Sequence, residues 1–196
     1  VRLRTSQQRL PAPGYRPPMS EMVRNVAESA LVIEVPEAEP AVSQWRELYD
    51  PGANWGVPAH ITVVYPFVPP ETIDAALLSR VSEVVAAVEG FDFVLEKVDQ
   101  FGTEVLYLVP NPQERFVALT SSIVAAWPQH QPYDGAYEEV IPHLTIAHTN
   151  RGASFSAVGS RVHEYLPIRG RASSMSLMTG TLEAASWETR HRVAFG

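Results

Sequence analysis

Apolar residues in this chain gather into two alternating kinds of run: short unbroken stretches, and longer ones that repeat every three or four positions. The first short stretch, Ala30-Leu31-Val32-Ile33-Glu34-Val35, has the length and β-branched content of a strand. Residues 40–50 carry Val42, Trp45 and Leu48 at three-residue spacing, a short helix that Pro51-Gly52 would end. A strand is expected at 59–66. An amphipathic helix over 71–89 comes next, facing inward through Ile73, Leu77, Val81, Val84, Val85 and Val88, with Gly90 as its stop. Two strands, 91–100 and 104–109, turn at Gly102. Asn111, Pro112 and Glu114 read as the cap, first position and capping partner of a helix with Phe116, Leu119, Ile123, Val124 and Trp127 on its inner face. A polar loop over 130–139 leads to a strand at 141–149 and a helix at 154–165 built on Phe155, Val158, Val162 and Tyr165. Two long strands, 168–179 and 185–195, close the chain.

The second half repeats the first in outline, so the expected fold class is α+β, with two related lobes in which each helix buries its stripe on a sheet. Residues 1–28, with prolines at 11, 13, 17 and 18, read as a flexible tail, and 29–196 as one domain. Met19 or Met22 offers a natural start. The tail has no apolar core of a secretory signal, and no apolar run reaches the length of a membrane span. With no cysteine, disulfides, thiolate metal sites and cysteine nucleophiles are excluded, and a cytoplasmic location is the default expectation. The net charge is −7 and Lys97 is the only lysine. No basic stripe of the kind that tracks a long nucleic acid is visible, which favours a small or terminal phosphate as partner.

One phrase occurs twice: Pro58-Ala59-His60-Ile61-Thr62-Val63, and Pro142-His143-Leu144-Thr145-Ile146. Alternate side chains of a strand share a face, so His60 projects with Thr62, and His143 with Thr145. Two histidines facing each other across a cleft can act as a general acid and a general base, because imidazole changes charge near neutrality. Hydroxyls from either side can hold the non-bridging oxygens of a phosphate and stabilise charge that builds up in a transition state. No carboxylate cluster accompanies the histidines, so no metal or other cofactor is demanded, and no nucleophilic serine elbow appears.

The stretches PAHITVVYPFVPPETID and PYDGAYEEVIPHLTIAHT resemble the two-histidine (2H) phosphoesterase superfamily, in its 2′-5′ RNA ligase-like, cyclic phosphodiesterase branch; the likeness spans roughly residues 30–195. The resemblance implies a bilobal, pseudo-twofold fold with antiparallel sheets lining a central cleft and helices packed outside. It also implies metal-independent opening of cyclic phosphodiesters such as 2′,3′-cyclic nucleotide ends, or reversible chemistry at 2′-5′ linkages of RNA. Carried over, His60 and His143 are the acid–base pair and Thr62 and Thr145 the phosphate-binding hydroxyls, with base and acid not assigned between the histidines. The alternative is a binding module that keeps the phosphate pocket without turnover. The expected partner is a small nucleotide or an RNA-terminal phosphate bound by a monomer, with no membrane and no extended nucleic-acid tract.

Further residues are placed by pattern. Tyr133 and Tyr137 precede the second motif and are positioned to border the cleft, and Arg151 comes after it as a phosphate contact. Strand alternation sends Tyr65 and Phe67 to the core face, and His148 away from Thr145. His130, His163 and His191 read as surface residues, as does Arg169. Glu138-Glu139 reads as a solvated loop.

Overall fold

The computed structural model describes residues 26–137 and 139–196; nearly all of the expected tail, and Glu138 of the acidic loop, therefore lie outside the described residues. Eight strands form two four-stranded antiparallel sheets. The first has the order β2-β1-β7-β8, built from β1 (Glu28–Glu34), β2 (His60–Val64), β7 (Ser174–Gly180) and β8 (Glu188–Ala194). The second has the order β5-β4-β3-β6, built from β3 (Phe91–Phe101), β4 (Val105–Asn111), β5 (Leu144–His148) and β6 (Ile168–Ala172). Each motif strand thus forms one edge of its sheet, and the two edges, β2 and β5, lie in contact.

The helices are α1 (Glu39–Tyr49), α2 (Pro51–Asn54), α3 (Ala75–Ala86), α4 (Gln113–Ala126) and α5 (Phe155–His163). Helix α4 packs on β2 and α1 on β5, while α3 and α5 pack on β8 and β3. Each motif strand is therefore backed by a helix. The architecture is the expected α+β pair of lobes with helices outside. The lobes are nested, however: among the described residues the first two and last two strands share one sheet, and the middle four make the other.

Several local expectations are corrected. The closing strand drawn over 168–179 is two strands, since at Ser173 the chain leaves one sheet and enters the other; the buried positions shift there from Ile168 and Ala172 to Met175 and Leu177, a break in the alternation that the single expected strand ran across. Pro51 does not end the helical region. It opens α2, with Asp50 as the cap accepting the Gly52 N–H at 2.9 Å, because proline is at home in a first turn. On α1 the buried side is Ala41, Val42 and Arg46, whereas Leu48 is 59% exposed; strict three-residue spacing drifts around a 3.6-residue helix. Helix α3 starts only after Asp74, which accepts the Leu77 N–H at 2.8 Å, and ends at Ala86, before Gly90. Asn111 stays in β4 and uses its side chain across the sheet, donating to Glu96 at 3.0 Å, so Pro112 precedes α4 without a side-chain cap. Tyr165 lies beyond the end of α5 and is exposed.

One continuous core joins Leu31, Ile33, Ile61 and Val64 of the first sheet to Leu108, Leu144 and Ile146 of the second, under Phe116, Leu119 and Ile123 of α4. Fully burying each such side chain stabilises the fold by about 1.5–3 kcal/mol. A smaller cluster, Ala30, Val32, Met178 and Trp187, covers the opposite face of the first sheet. There the Trp187 ring lies against Gly180, so closely that an added Cβ would stand 2.4 Å from the ring, while its Nε1–H donates to the Thr181 carbonyl at 2.9 Å. Gly180→Ala is expected to cost about 1–3 kcal/mol through overpacking. A lower urea midpoint with unchanged slope and altered tryptophan fluorescence would show it; a wild-type midpoint would contradict the close packing.

Candidate active site

The two motif strands share one irregularity. Along β2 the register runs Glu34 with His60, Ile33 with Ile61 and Val32 with Thr62, then jumps to Leu31 with Val64, leaving Val63 as an extra residue. Along β5 it runs Leu108 with Leu144 and Tyr107 with Thr145, then jumps to Leu106 with Ala147, leaving Ile146 over. Each bulge sits three residues after its histidine. A bulge inserts one residue into the alternation and so reverses the facing of the residues beyond it. Tyr65 and His148, each five residues after a motif histidine, therefore return to the cleft side, whereas unbroken alternation sends both away. Phe67 is buried in the core as expected.

A cavity of about 810 Å³ opens on this face. His60, Thr62, His143 and Thr145 line it together, with Tyr65, His148, Tyr133 and Tyr137. Arg151 does not join them: it is exposed on the turn after β5 and does not line the cavity. Asp50, Trp55, Phe101 and Trp187 do line it, and sequence reasoning passed over all four. Asp50 was detectable as a cap before Pro51-Gly52; nothing in the pattern marked the aromatic residues.

The two histidines are held alike. His60 Nδ1–H donates to the Pro58 carbonyl and His143 Nδ1–H to the Ile141 carbonyl, each at 2.7 Å and each two residues back along the chain. A carbonyl can only accept, so each contact fixes the proton on Nδ1 and leaves Nε2 as the working nitrogen. The His143 ring is also packed edge-on against Phe101 and Tyr107, with centroids 4.9 and 5.4 Å away. Burial pulls the His60 imidazole down to about 4, aided by the Arg46 charge and opposed by the Pro58 contact and the Asp50 carboxylate. Burial likewise lowers His143, against its contact with Ile141. Both shifts favour the neutral imidazole in the free protein.

Beneath this pair lies a buried ion pair. Arg46 Nε donates to Asp50 Oδ2 at 2.9 Å, with Arg46 only 2% exposed. Arg46 Nη2 also donates to the Val57 carbonyl at 3.1 Å. Asp50 Oδ1 takes the Gly52 N–H and lies 3.9 Å from His148 Nε2. On the rim, Tyr133 and Asp134 both adopt left-handed backbone, φ 53°, a conformation that non-glycine residues hold only where surroundings demand it. The Tyr133 N–H donates to the Tyr65 carbonyl at 2.6 Å, and its ring meets Tyr137 edge-on at 5.5 Å. Burial pushes the Tyr133 phenol up, and a hydrogen bond with Thr62 works the other way. Tyr65 donates to Glu28 and stays a neutral phenol, its pKa raised by burial and that carboxylate.

A family model described as the 2′-5′ RNA ligase superfamily matches residues 34–182. The chain belongs to this superfamily of two-histidine phosphoesterases. No curated protein matches it in sequence. Among solved structures, E. coli LigT complexed with 3′-AMP superposes with a TM-score of 0.55 at 15% identity, covering 87% of this chain and 99% of LigT. LigT complexed with NADP+ gives 0.55 at 15% identity, with 86% and 96% covered. A protein of Thermus thermophilus gives 0.60 at 15% identity, with 85% and 97% covered. At such identities the likeness speaks for the fold. Among the described residues, no helix is long and apolar enough to cross a membrane.

Removing Arg46 would strand the Asp50 carboxylate. Arg46→Met is expected to cost about 3–5 kcal/mol, against under about 1 kcal/mol for Arg161→Ala at an exposed pair with Glu164. Equal urea midpoints for the two variants would show that the buried pair contributes no more than a surface one.

Proposed function

We propose that the protein opens small cyclic phosphodiesters or acts on RNA-terminal phosphates, without a metal, by paired-histidine acid–base catalysis. The observation that carries this reading is the matched anchoring of His60 and His143, Nδ1 fixed and Nε2 free, in one cavity with Thr62 and Thr145. One neutral Nε2 takes a proton from an attacking water as its oxygen bonds to phosphorus. The other imidazole, protonated, gives a proton to the ribose oxygen that departs. Thr62 and Thr145 donate hydrogen bonds to the non-bridging oxygens, whose charge grows in the five-coordinate transition state. Tyr133 and Tyr137 border the bound group. That E. coli LigT takes 3′-AMP in its crystal is in keeping with a nucleotide-sized ligand.

Turnover of a panel of 2′,3′-cyclic phosphates in EDTA tests the reading directly. His60→Ala and His143→Ala should each lose roughly two to four orders of magnitude in rate with the fold retained. Near-wild-type rates in either variant would remove that histidine from the chemistry, and ligand binding without turnover would leave a phosphate-binding module.

The pH profile carries a sign. Catalysis needs one proton on the pair, and both imidazoles of the free protein lie below the ordinary 6.5. The kcat/KM bell should therefore centre below pH 6.5 and fall towards neutrality. The kcat bell should lie higher, because the bound phosphate anion favours the imidazolium. A kcat/KM optimum above about pH 7 would contradict this ordering.

A further inference from the structure

The cavity wall is notable for its charges. Among the described residues that line it there is no lysine or arginine, while Asp50, Glu104 and Glu139 are all present. The guanidinium whose charge is felt at His60, Arg46, is buried and already committed to Asp50 and the Val57 carbonyl. Apart from the histidines, His60, His143 and His148, the described lining residues offer an anion only uncharged side-chain donors, from threonine, tyrosine and tryptophan. Such a set can hold one phosphodiester, which carries a single negative charge. Among the described lining residues no lysine or arginine is left for a second phosphate, and Glu104 and Glu139 would repel one.

The rest of the wall is aromatic and aliphatic. Trp55, Tyr65 and Trp187 stand beside Val57 and Met178, with Tyr65 and Trp187 ring centroids 6.1 Å apart at 60°. Faces of this kind stack on a flat uncharged ring. The cavity, about 810 Å³, lies in the range of pockets that enclose one small molecule.

Building on the proposed phosphoesterase activity, we infer that this cleft selects cyclic phosphodiesters whose charge is confined to the reacting phosphate and whose body is an uncharged aromatic group such as a nucleoside. It discriminates against the same compounds bearing additional phosphates, including oligoribonucleotide ends. Selection works by withheld cations and by the carboxylates Glu104 and Glu139, not by shape alone.

The test compares adenosine 2′,3′-cyclic phosphate, its 5′-phosphorylated counterpart and a short oligoribonucleotide ending in a 2′,3′-cyclic phosphate, on the full chain in EDTA. The 5′-phosphate should lower kcat/KM by at least about tenfold, and the penalty should shrink at high salt, where exposed charges are screened. It should shrink too in the Glu104→Gln/Glu139→Gln double variant. Equal or faster turnover of the 5′-phosphorylated compound or the oligonucleotide would overturn the inference. If no compound is turned over, the phosphoesterase reading fails, and tryptophan fluorescence titration with adenosine 2′-monophosphate and adenosine 2′,5′-bisphosphate decides selectivity alone. Tighter binding of the monophosphate by about tenfold or more would sustain the inference. Equal or tighter binding of the bisphosphate, or binding of neither, would overturn it.

Discussion

An edge strand that seals a core with one face has only the other face for chemistry, and strict alternation then presents every second residue to the cleft. The extra residue in each motif strand relaxes that limit. Val63 and Ile146 are both buried, and so are the residues after them, Val64 and Ala147; the chain gives two consecutive residues to the core and swings the next one back. His60, Thr62 and Tyr65 thereby face the cavity from one lobe, and His143, Thr145 and His148 from the other. Bulges are found where a strand must re-aim a side chain, and here the same device at the same offset gives each lobe a third residue in the cleft.

Electrostatics derive from this placement. Holding two imidazoles against a packed sheet removes water from them and disfavours their charged forms. Carbonyl contacts at Pro58 and Ile141 return part of that penalty and set the tautomer. Asp50 also favours the charged form of His60, though Arg46, the partner without which a carboxylate at that depth would be costly, opposes it more strongly. The Arg46–Asp50 pair also binds the end of α1 to the loop that delivers β2, through Val57 and the cap at Gly52. Packing, capping and proton affinity at the site thus rest on a few shared side chains.

Much of this was legible in the chain. Strong periodicity placed the long helices within a few residues, and the twice-written histidine and threonine phrase marked residues that line the cavity. What escaped was set by contacts distant in sequence. The bulges depend on which strand lies alongside, so Tyr65 and His148 were assigned to the wrong face. The crossing at Ser173 is marked only by a one-residue change of phase, from Ile168 and Ala172 to Met175 and Leu177, which does not by itself say that the chain moves from one sheet to another. Trp187 reaches the cleft through its fit against Gly180, a pairing no local pattern announces. Arg151 illustrates the opposite error: closeness in sequence to the second motif did not bring it to the cavity.

The nesting of the lobes bears on how the protein is made. As the chain leaves the ribosome, β3, β4, β5 and β6 complete the sheet that carries His143 from one uninterrupted stretch. The sheet that carries His60 cannot be completed in that order, because β1 pairs with β7, and β7 with β8, both of which are synthesised after the other sheet. Contacts of such long sequence separation close slowly. The apolar face of β1 and β2 must therefore wait, and the two-histidine cavity exists only once β7 and β8 have joined β1.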